Sequence, residues 1–258
     1  MNLRQIRKQI LLSVQNADSG HLGPSLSCVE ILYSVLQYID YKSTLRNRLI
    51  LSKGHAAPAL YAFYNELKML KKNELLSLRK FNSRLQGHPD KRKLNFLDFG
   101  TGALGQGLSI SIGYALGAKI KKKKNFIFCI LGDGELQEGQ IWEAAMFIGS
   151  NNLKNIITII DGNKFQNDSR VDETMKNLNF KSMWKSFGFE YLEINGHDLK
   201  KINKSLLYAM NLKRKKPTVI YCNTIKGKGI SFMENNNAYH SVKKLKSLEY
   251  EKAMNELN

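Results

Sequence analysis

The chain has 258 residues, of which 43% are hydrophobic and 24% charged. This composition is typical of a globular protein and excludes a disordered or fibrous chain. A formal net charge of +18 raises the question of an anionic partner, but the lysines are spread along the chain and no arginine-rich arm occurs. The three cysteines form no metal-binding or redox pattern and indicate buried thiols in a reducing compartment, and no apolar run approaches the roughly 20 residues needed to cross a bilayer. With the scattered lysines, these features predict a cytoplasmic protein that binds neither membrane nor nucleic acid.

Amphipathic segments alternate with apolar ones along the chain. Recurrence of apolar residues at spacings of three and four predicts helices over residues 3–15, 28–38, 57–70, 104–120, 138–148, 175–187 and 199–211. Short apolar runs predict strands buried on both faces at residues 126–131, 156–160, 190–194 and 218–222. This alternation predicts an α/β fold, a doubly wound and mostly parallel sheet flanked by helices. Because no repeat or linker interrupts it, we expect residues 1–258 to form a single domain.

Two polar side chains follow neighbouring strands of the predicted sheet. Asp133 stands between two glycines directly after one strand, and Asn163 follows the next strand 30 positions later. Ligands of parallel sheets bind beyond the carboxyl ends of the strands, and flanking glycines let the backbone approach a phosphate. A carboxylate, a carboxamide and the carbonyl of Phe165 would suit Mg²⁺, with diphosphate oxygens and water completing its shell. The alternative is that Asp133 is a turn or helix-capping residue.

Four of the five histidines, His21, His55, His88 and His240, lie in short sequence motifs, and three of them follow glycine directly, in predicted loops. A loop histidine taken singly is more often structural than catalytic, but several together are what a polar pocket built from loop tips needs. The fifth, His197, precedes a predicted helix for which Asp198 is the expected N-cap. The sequence leaves His197 open between a structural and a functional role.

The motif around Asp133, followed about thirty residues later by DGNKFQ, resembles the signature of thiamine-diphosphate enzymes. Further motifs resemble transketolases in particular and occur in the order of that family. They are SGHLGPS from Ser19, SKGHA from Ser52, GHPD from Gly87, TGALGQG from Thr101, GDGELQEG from Gly132, and KGKG to YH over residues 226–240. The resemblance covers nearly the whole chain, which is thus similar to the N-terminal, thiamine-diphosphate-binding subunit of a split transketolase.

The resemblance implies a cofactor site. Asp133, Asn163 and the carbonyl of Phe165 would bind Mg²⁺ or another divalent cation such as Ca²⁺ or Mn²⁺. The groups expected against the diphosphate and thiazolium of the cofactor are His55, His240, Asn163, the amide of Gly134, Gly102 and Leu104.

The resemblance also implies a catalytic group. His21, His88 and His240 would face the sugar and pass protons to and from its oxygens. Glu138 is similar to the glutamate that interacts across the subunit interface of the family. Ser241 departs from the family, which usually has glycine after the histidine at position 240.

The implied activity is transfer of a two-carbon ketol unit from a ketose phosphate to an aldose phosphate in the pentose phosphate pathway. In the family, the glutamate that activates the aminopyrimidine of the cofactor belongs to a separate pyrimidine-binding domain. We therefore expect the partner to be a C-terminal transketolase subunit, in a heterotetramer. The alternatives are a deoxyxylulose-phosphate synthase-like component, the α subunit of a 2-oxo-acid dehydrogenase, or, from another class, a basic nucleic-acid-binding module.

Overall fold

A computed structural model describes residues 1–258. Its strands are β1 (Ser19–Gly20), β2 (Arg48–Leu51), β3 (Ile127–Gly132), β4 (Ile156–Gly162), β5 (Glu190–Asn195), β6 (Thr218–Asn223) and β7 (Val242–Lys243). Five of them form a wholly parallel sheet in the order β2-β3-β4-β6-β5, while β1 and β7 pair antiparallel. The predicted α/β fold is confirmed.

Ten helices surround this sheet. They are α1 (Leu3–Ala17), α2 (Leu22–Ser27), α3 (Val29–Leu36), α4 (Ala57–Glu66), α5 (Gln106–Ile120), α6 (Gly139–Ser150), α7 (Val171–Thr174), α8 (Phe180–Ser186), α9 (Leu199–Ala209) and α10 (Ser247–Glu256). Short 3₁₀ turns cover Gly54–Ala56, Glu74–Ser77, Gly134–Gln137 and Asn237–Tyr239. No helix combines the length and apolar character needed to span a membrane.

Helices cover both faces of the sheet because its central strands are apolar on both sides. Along β3, Phe128 and Ile130 belong to a large cluster with α1 to α4 and α9. The alternate residues Cys129 and Leu131 belong to a second cluster with α5, α6 and α8. Successive side chains of a strand point to opposite faces, so this alternation makes the sheet the centre of two apolar layers.

Some predicted elements differ from the structure. The strand predicted at 190–194 was expected to be buried on both faces, but β5 is an edge strand and its side chains are half-buried or exposed. The sequence patterns missed β2 and α10, and they missed α2, which precedes the helix predicted at 28–38. The helix predicted at 57–70 ends at Glu66, and that at 175–187 begins only at Phe180, where Asn179 caps it.

The register of the sheet aligns the carboxyl ends of its central strands. Gly132 of β3 pairs with Asp161 of β4, which pairs with Cys222 of β6. The Asp133 amide then donates to the Asp161 carbonyl at 3.3 Å. Asp133 and the residues after β4 therefore stand side by side at one edge of the sheet.

Candidate active site

Loops beyond the carboxyl ends of the strands enclose a cavity of about 380 Å³. Every residue predicted from the sequence to form the site lines it: His21, His55, His88, Gly102, Leu104, Asp133, Gly134, Asn163, Phe165 and His240. The structure thus brings together side chains that are as much as 219 positions apart in the sequence (240 − 21). Their individual roles stay predictions.

Asp133 is a buried carboxylate, 2% exposed, with no ion-pair partner. Its Oδ1 accepts from the Gly134 amide at 2.9 Å and its Oδ2 from the Lys164 amide. Burial, and then the neighbouring Asp161 carboxylate, raise the pKa of Asp133 to about 7. A buried carboxylate that lacks a counter-charge is the group a divalent cation would stabilise.

Asn163 and Phe165 flank Lys164, whose amide donates to this carboxylate, and they lie in one turn. The Asn163 Oδ1 accepts from the Phe165 amide at 3.1 Å, and its Nδ2 donates to Ser27 Oγ at 3.3 Å. The Lys164 backbone between them is left-handed, with φ +70°. No group of three or more His, Cys, Asp or Glu side chains could hold a metal. The predicted set does not need one, because it has one carboxylate and two uncharged oxygen ligands, which fits Mg²⁺.

Asp161 has a different environment from Asp133. Its carboxylate pairs with the buried Lys53 ammonium and accepts hydrogen bonds from Ser27 Oγ at 2.6 Å and from Thr224 Oγ1. Burial would raise the pKa of Asp161, but the charge and hydrogen bond of Lys53 lower it below its usual value. Asp161 is therefore an anion whose charge is balanced by Lys53, and it links the end of β4 to the segments that hold Ser27 and Thr224.

The four motif histidines form a cluster at the cavity. The His21 ring centroid lies 5.3 Å from that of His55, 6.0 Å from His88 and 5.7 Å from His240. Burial, and then the neighbouring His88, lower the pKa of His21 to about 4, while burial and Lys226 lower that of His240 to about 3. All four pKa values are lowered, so the cluster presents neutral imidazoles at pH 7.

Sequence reasoning missed two buried lysines. Lys53 and Lys226 stand in motifs quoted above, yet their side chains are 1% and 0% exposed. The Lys226 Nζ lies 2.7 Å from His240 Nδ1 and 3.1 Å from the Gln166 carbonyl, and it has no carboxylate partner. Burial and the Lys53 charge lower the pKa of Lys226 to about 7. The sequence feature that could have indicated these buried lysines is a lysine directly before glycine, at the end of a strand or in the loop that follows it.

A wider depression of about 1020 Å³ adjoins the cavity and shares His88 with it. Arg79, Lys91 and Arg92 line it together with Asp90. Asp90 pairs with Arg92, but Arg79 has no carboxylate partner. This depression would favour an anionic group on a ligand that reaches the cavity through it.

Comparison with known proteins gives a consistent result. The family described as transketolase, thiamine diphosphate binding domain, matches residues 2–256. A 6-deoxy-6-sulfo-D-fructose transketolase subunit from a Clostridium species is 41% identical over 245 residues, 92% of this chain and 88% of that protein. One subunit of an apulose-4-phosphate transketolase from Phocaeicola vulgatus is 35% identical, covering 91% of this chain and 85% of that one.

The fold comparison points the same way. The crystal structure of a transketolase from Campylobacter jejuni matches with a TM-score of 0.90 and 32% identity, over 100% of this chain and 43% of the other. Mouse transketolase is 35% identical over 92% of this chain, which covers 38% of the mouse protein. The chain thus spans about two fifths of these longer transketolases and most of the relatives named as subunits.

Proposed function

We propose that this chain, which belongs to the family of transketolase N-terminal, thiamine-diphosphate-binding domains, supplies the metal- and diphosphate-binding half of a two-chain transketolase. The observation that carries the proposal is the arrangement of two charged groups, one lining the cavity and one buried behind the cavity residue His240. Asp133 is a buried carboxylate without a cation, and Lys226 is a buried lysine without an anion. A magnesium diphosphate would compensate both groups at once, the metal at Asp133 and the phosphate oxygens near Lys226.

The residues around these two charges would hold the diphosphate. Lys226 and His240 are in contact, and the His55 ring stacks on His240 with centroids 5.6 Å apart. Gly134 packs closely against Gln166, since a Cβ there would lie 2.9 Å from Gln166 Cβ, and its backbone lines the cavity where the diphosphate would bind. Gly102 and Leu104, which also line the cavity, would pack against the thiazolium ring.

When bound, thiamine diphosphate would supply the electron sink for breaking and forming a carbon–carbon bond. The chain would supply orientation. His21, His88 and His240 stay neutral, so His21 and His88 each have one N–H donor and one acceptor nitrogen for the hydroxyl and carbonyl oxygens of a sugar. In His240 only Nε2 would face the sugar, because Nδ1 contacts Lys226 Nζ.

We propose sugars with an anionic terminus as substrates. The cationic depression beside His88 supports this, and the relatives are named for a sulfonated fructose and for apulose 4-phosphate. Xylulose 5-phosphate with ribose 5-phosphate is the expected pair for a role in the pentose phosphate pathway. Assay of these donors beside pyruvate would separate a transketolase from the other thiamine-diphosphate enzymes.

A partner chain with the pyrimidine-binding domain is part of the proposal, in a heterotetramer. The names of two similar relatives include the word subunit. Helix α5, which follows the cavity residue Leu104, supports a partner here: most of its residues are apolar or glycine, yet only four of its residues are buried. A Cβ at Gly113 or Gly117 would meet nothing within 4 Å, so this face has room for another chain.

The test of the metal site is Asp133→Asn, which keeps the shape of the side chain and removes its charge. We expect magnesium-dependent binding of thiamine diphosphate, measured by calorimetry, to weaken by more than about 100-fold, since loss of a mere outer-shell partner already costs roughly 10–100-fold. Asp172→Asn is the matched control, because Asp172 is exposed and pairs only with Arg170. Equal magnesium-dependent affinity of the wild type and Asp133→Asn would refute the site.

A further inference from the structure

Behind the cavity, a buried charged cluster joins three parts of the chain. It consists of Arg7 in α1, Glu30 in α3 and His197 in the turn between β5 and α9, with side chains 7%, 9% and 13% exposed. The Arg7 Nη2 donates to both Glu30 oxygens, at 2.7 and 3.0 Å. None of the three residues lines the cavity.

The contacts of His197 fix its tautomer. Its Nε2 lies 2.9 Å from the Ile225 nitrogen, and this backbone group can only donate. The Nε2 must therefore be the acceptor, and the ring proton is on Nδ1, which donates to Glu30 Oε2 at 3.0 Å. His197 thus links the Glu30 carboxylate to the Ile225 backbone amide through two hydrogen bonds.

Arg7 binds the same loop from its other end. Its Nε donates to the Lys228 carbonyl at 2.9 Å. The chain is tightly packed here, because a Cβ at Gly227, between the two bonds, would clash with the Met233 carbonyl oxygen, and one at Gly229, just after them, would lie 2.7 Å from Arg7 Cδ. The cluster therefore holds the main chain on both sides of Lys226.

Lys226 stands in this anchored loop behind the cavity lining, where its Nζ contacts His240 Nδ1 and the Gln166 carbonyl, and both of these residues line the cavity. Its stem is flexible, so the position of its Nζ against His240 depends on where the backbone is fixed. A shift of Ile225 would move the ammonium relative to the imidazole and to Asp133.

We propose that His197 is a positioning residue: its neutral Nε2 anchors Ile225 and so places Lys226 for the diphosphate of the cofactor. The inference rests on the proposed function for the identity of the ligand. The anchoring of the loop itself can be observed without any ligand.

The experiment compares two substitutions in the full chain. In His197→Gln the side-chain oxygen can stand near the place of Nε2 and accept from Ile225. In His197→Asn the amide can stand near the place of Nδ1 and donate to Glu30, but the Ile225 amide loses its acceptor. Asp198→Asn is the control, because asparagine can keep the N-cap contacts to the Lys200 and Lys201 amides.

Two readouts are measured, hydrogen exchange of the Ile225 amide and calorimetric binding of magnesium pyrophosphate. We expect His197→Asn to speed exchange and to weaken binding about 10-fold or more, within the range known for supporting residues. His197→Gln and Asp198→Asn should stay within about threefold of the wild type, less than the cost of one hydrogen bond.

Unchanged exchange and binding in His197→Asn would overturn the inference, as would equal losses in both His197 variants. If His197→Asn does not fold, rescue of exchange protection in His197→Gln still supports it, and its absence there contradicts it. Absence of pyrophosphate binding in the wild type would instead contradict the proposed function, while the exchange readout would still decide the role of His197.

Discussion

Individual residues in the cavity have protonation states that local sequence does not reveal. A histidine in a loop has an ordinary pKa near 6.5, yet burial and nearby cations lower the pKa of His21 to about 4. At a pH between these two pKa values, the His21 side chain is protonated in the unfolded chain but not in the folded chain, so unfolding takes up a proton.

This predicts how His21 links stability to pH. Its contribution to the free energy of unfolding is full above pH 6.5 and falls, by about 3 kcal/mol, as the pH decreases towards 4. His21→Gln should therefore flatten the pH dependence of urea unfolding between pH 7 and 4. His55 and His240 titrate with the same sign. Asp133, whose pKa is raised to about 7, titrates with the opposite sign over the same range, so the effect of His21 is the difference in slope between the variant and the wild type. An unchanged slope in the variant would show that His21 is protonated in the folded chain.

The site residues found from the sequence and those missed differ in one physical respect. Asp133 and Asn163 follow apolar strands, so the topology of a parallel sheet alone predicts that they meet. Lys53 and Lys226 were missed because a lysine is almost always exposed, and only tertiary packing decides that these two are buried. Likewise, the contacts of His197 come from α3 and from the loop after β6, which no local pattern brings together.

At the scale of elements, the Glu135 carboxylate accepts hydrogen bonds from three segments of the chain. The Oε1 of Glu135 accepts from Ser52 Oγ after β2 and from the Gly105 amide before α5, at 2.9 Å for the amide. Its Oε2 accepts from the Gly132 amide at the end of β3, at 3.0 Å. Glu135 therefore holds the segment with Gly102 and Leu104 against the strand tips.

Glu135→Ala should lower the free energy of unfolding by about 3 kcal/mol, because it leaves buried amides without an acceptor. Glu135→Gln should cost less, since its oxygen can still accept and burial disfavours the charged form, as the raised pKa of Glu135 shows. The control is Glu143→Ala on the exposed face of α6, which should stay within about 0.5 kcal/mol. Urea unfolding measures all three, and equal losses for alanine and glutamine would contradict the hydrogen-bonding role.

Secondary-structure elements could be predicted from the sequence where the pattern of apolar residues was long and regular. Strands β3, β4 and β6 are continuous apolar runs and were found, while β2 has only four residues and begins with an arginine. The β5 run was found, but its place at the edge depends on the order of strands, which the periodicity does not contain. Helix α2 contains Gly23 and Pro24, which are poor helix formers, so only its buried position stabilises it.

At the scale of the whole molecule, the net charge of +18 has to be separated from the charge of the site. Most of the lysines lie on the surface, where salt screens them, whereas Lys53 and Lys226 are buried. A surface that binds nucleic acid and a cavity that binds a diphosphate should therefore respond differently to salt.

We predict that binding of thiamine diphosphate with magnesium weakens less than about 10-fold between 50 and 200 mM salt, because buried charges are screened little. A nucleic-acid-binding module with 6–10 phosphate contacts would lose about 10³–10⁵ in affinity over this range and would not depend on the cofactor. Calorimetry with the cofactor and anisotropy with a labelled oligonucleotide, in the same buffers, measure both.

Lys226→Met should abolish most of the cofactor affinity, while Lys122→Met, in the exposed run after α5, should leave it unchanged. Steep salt dependence together with equal affinities of these two variants would place the anion on the surface and not in the cavity.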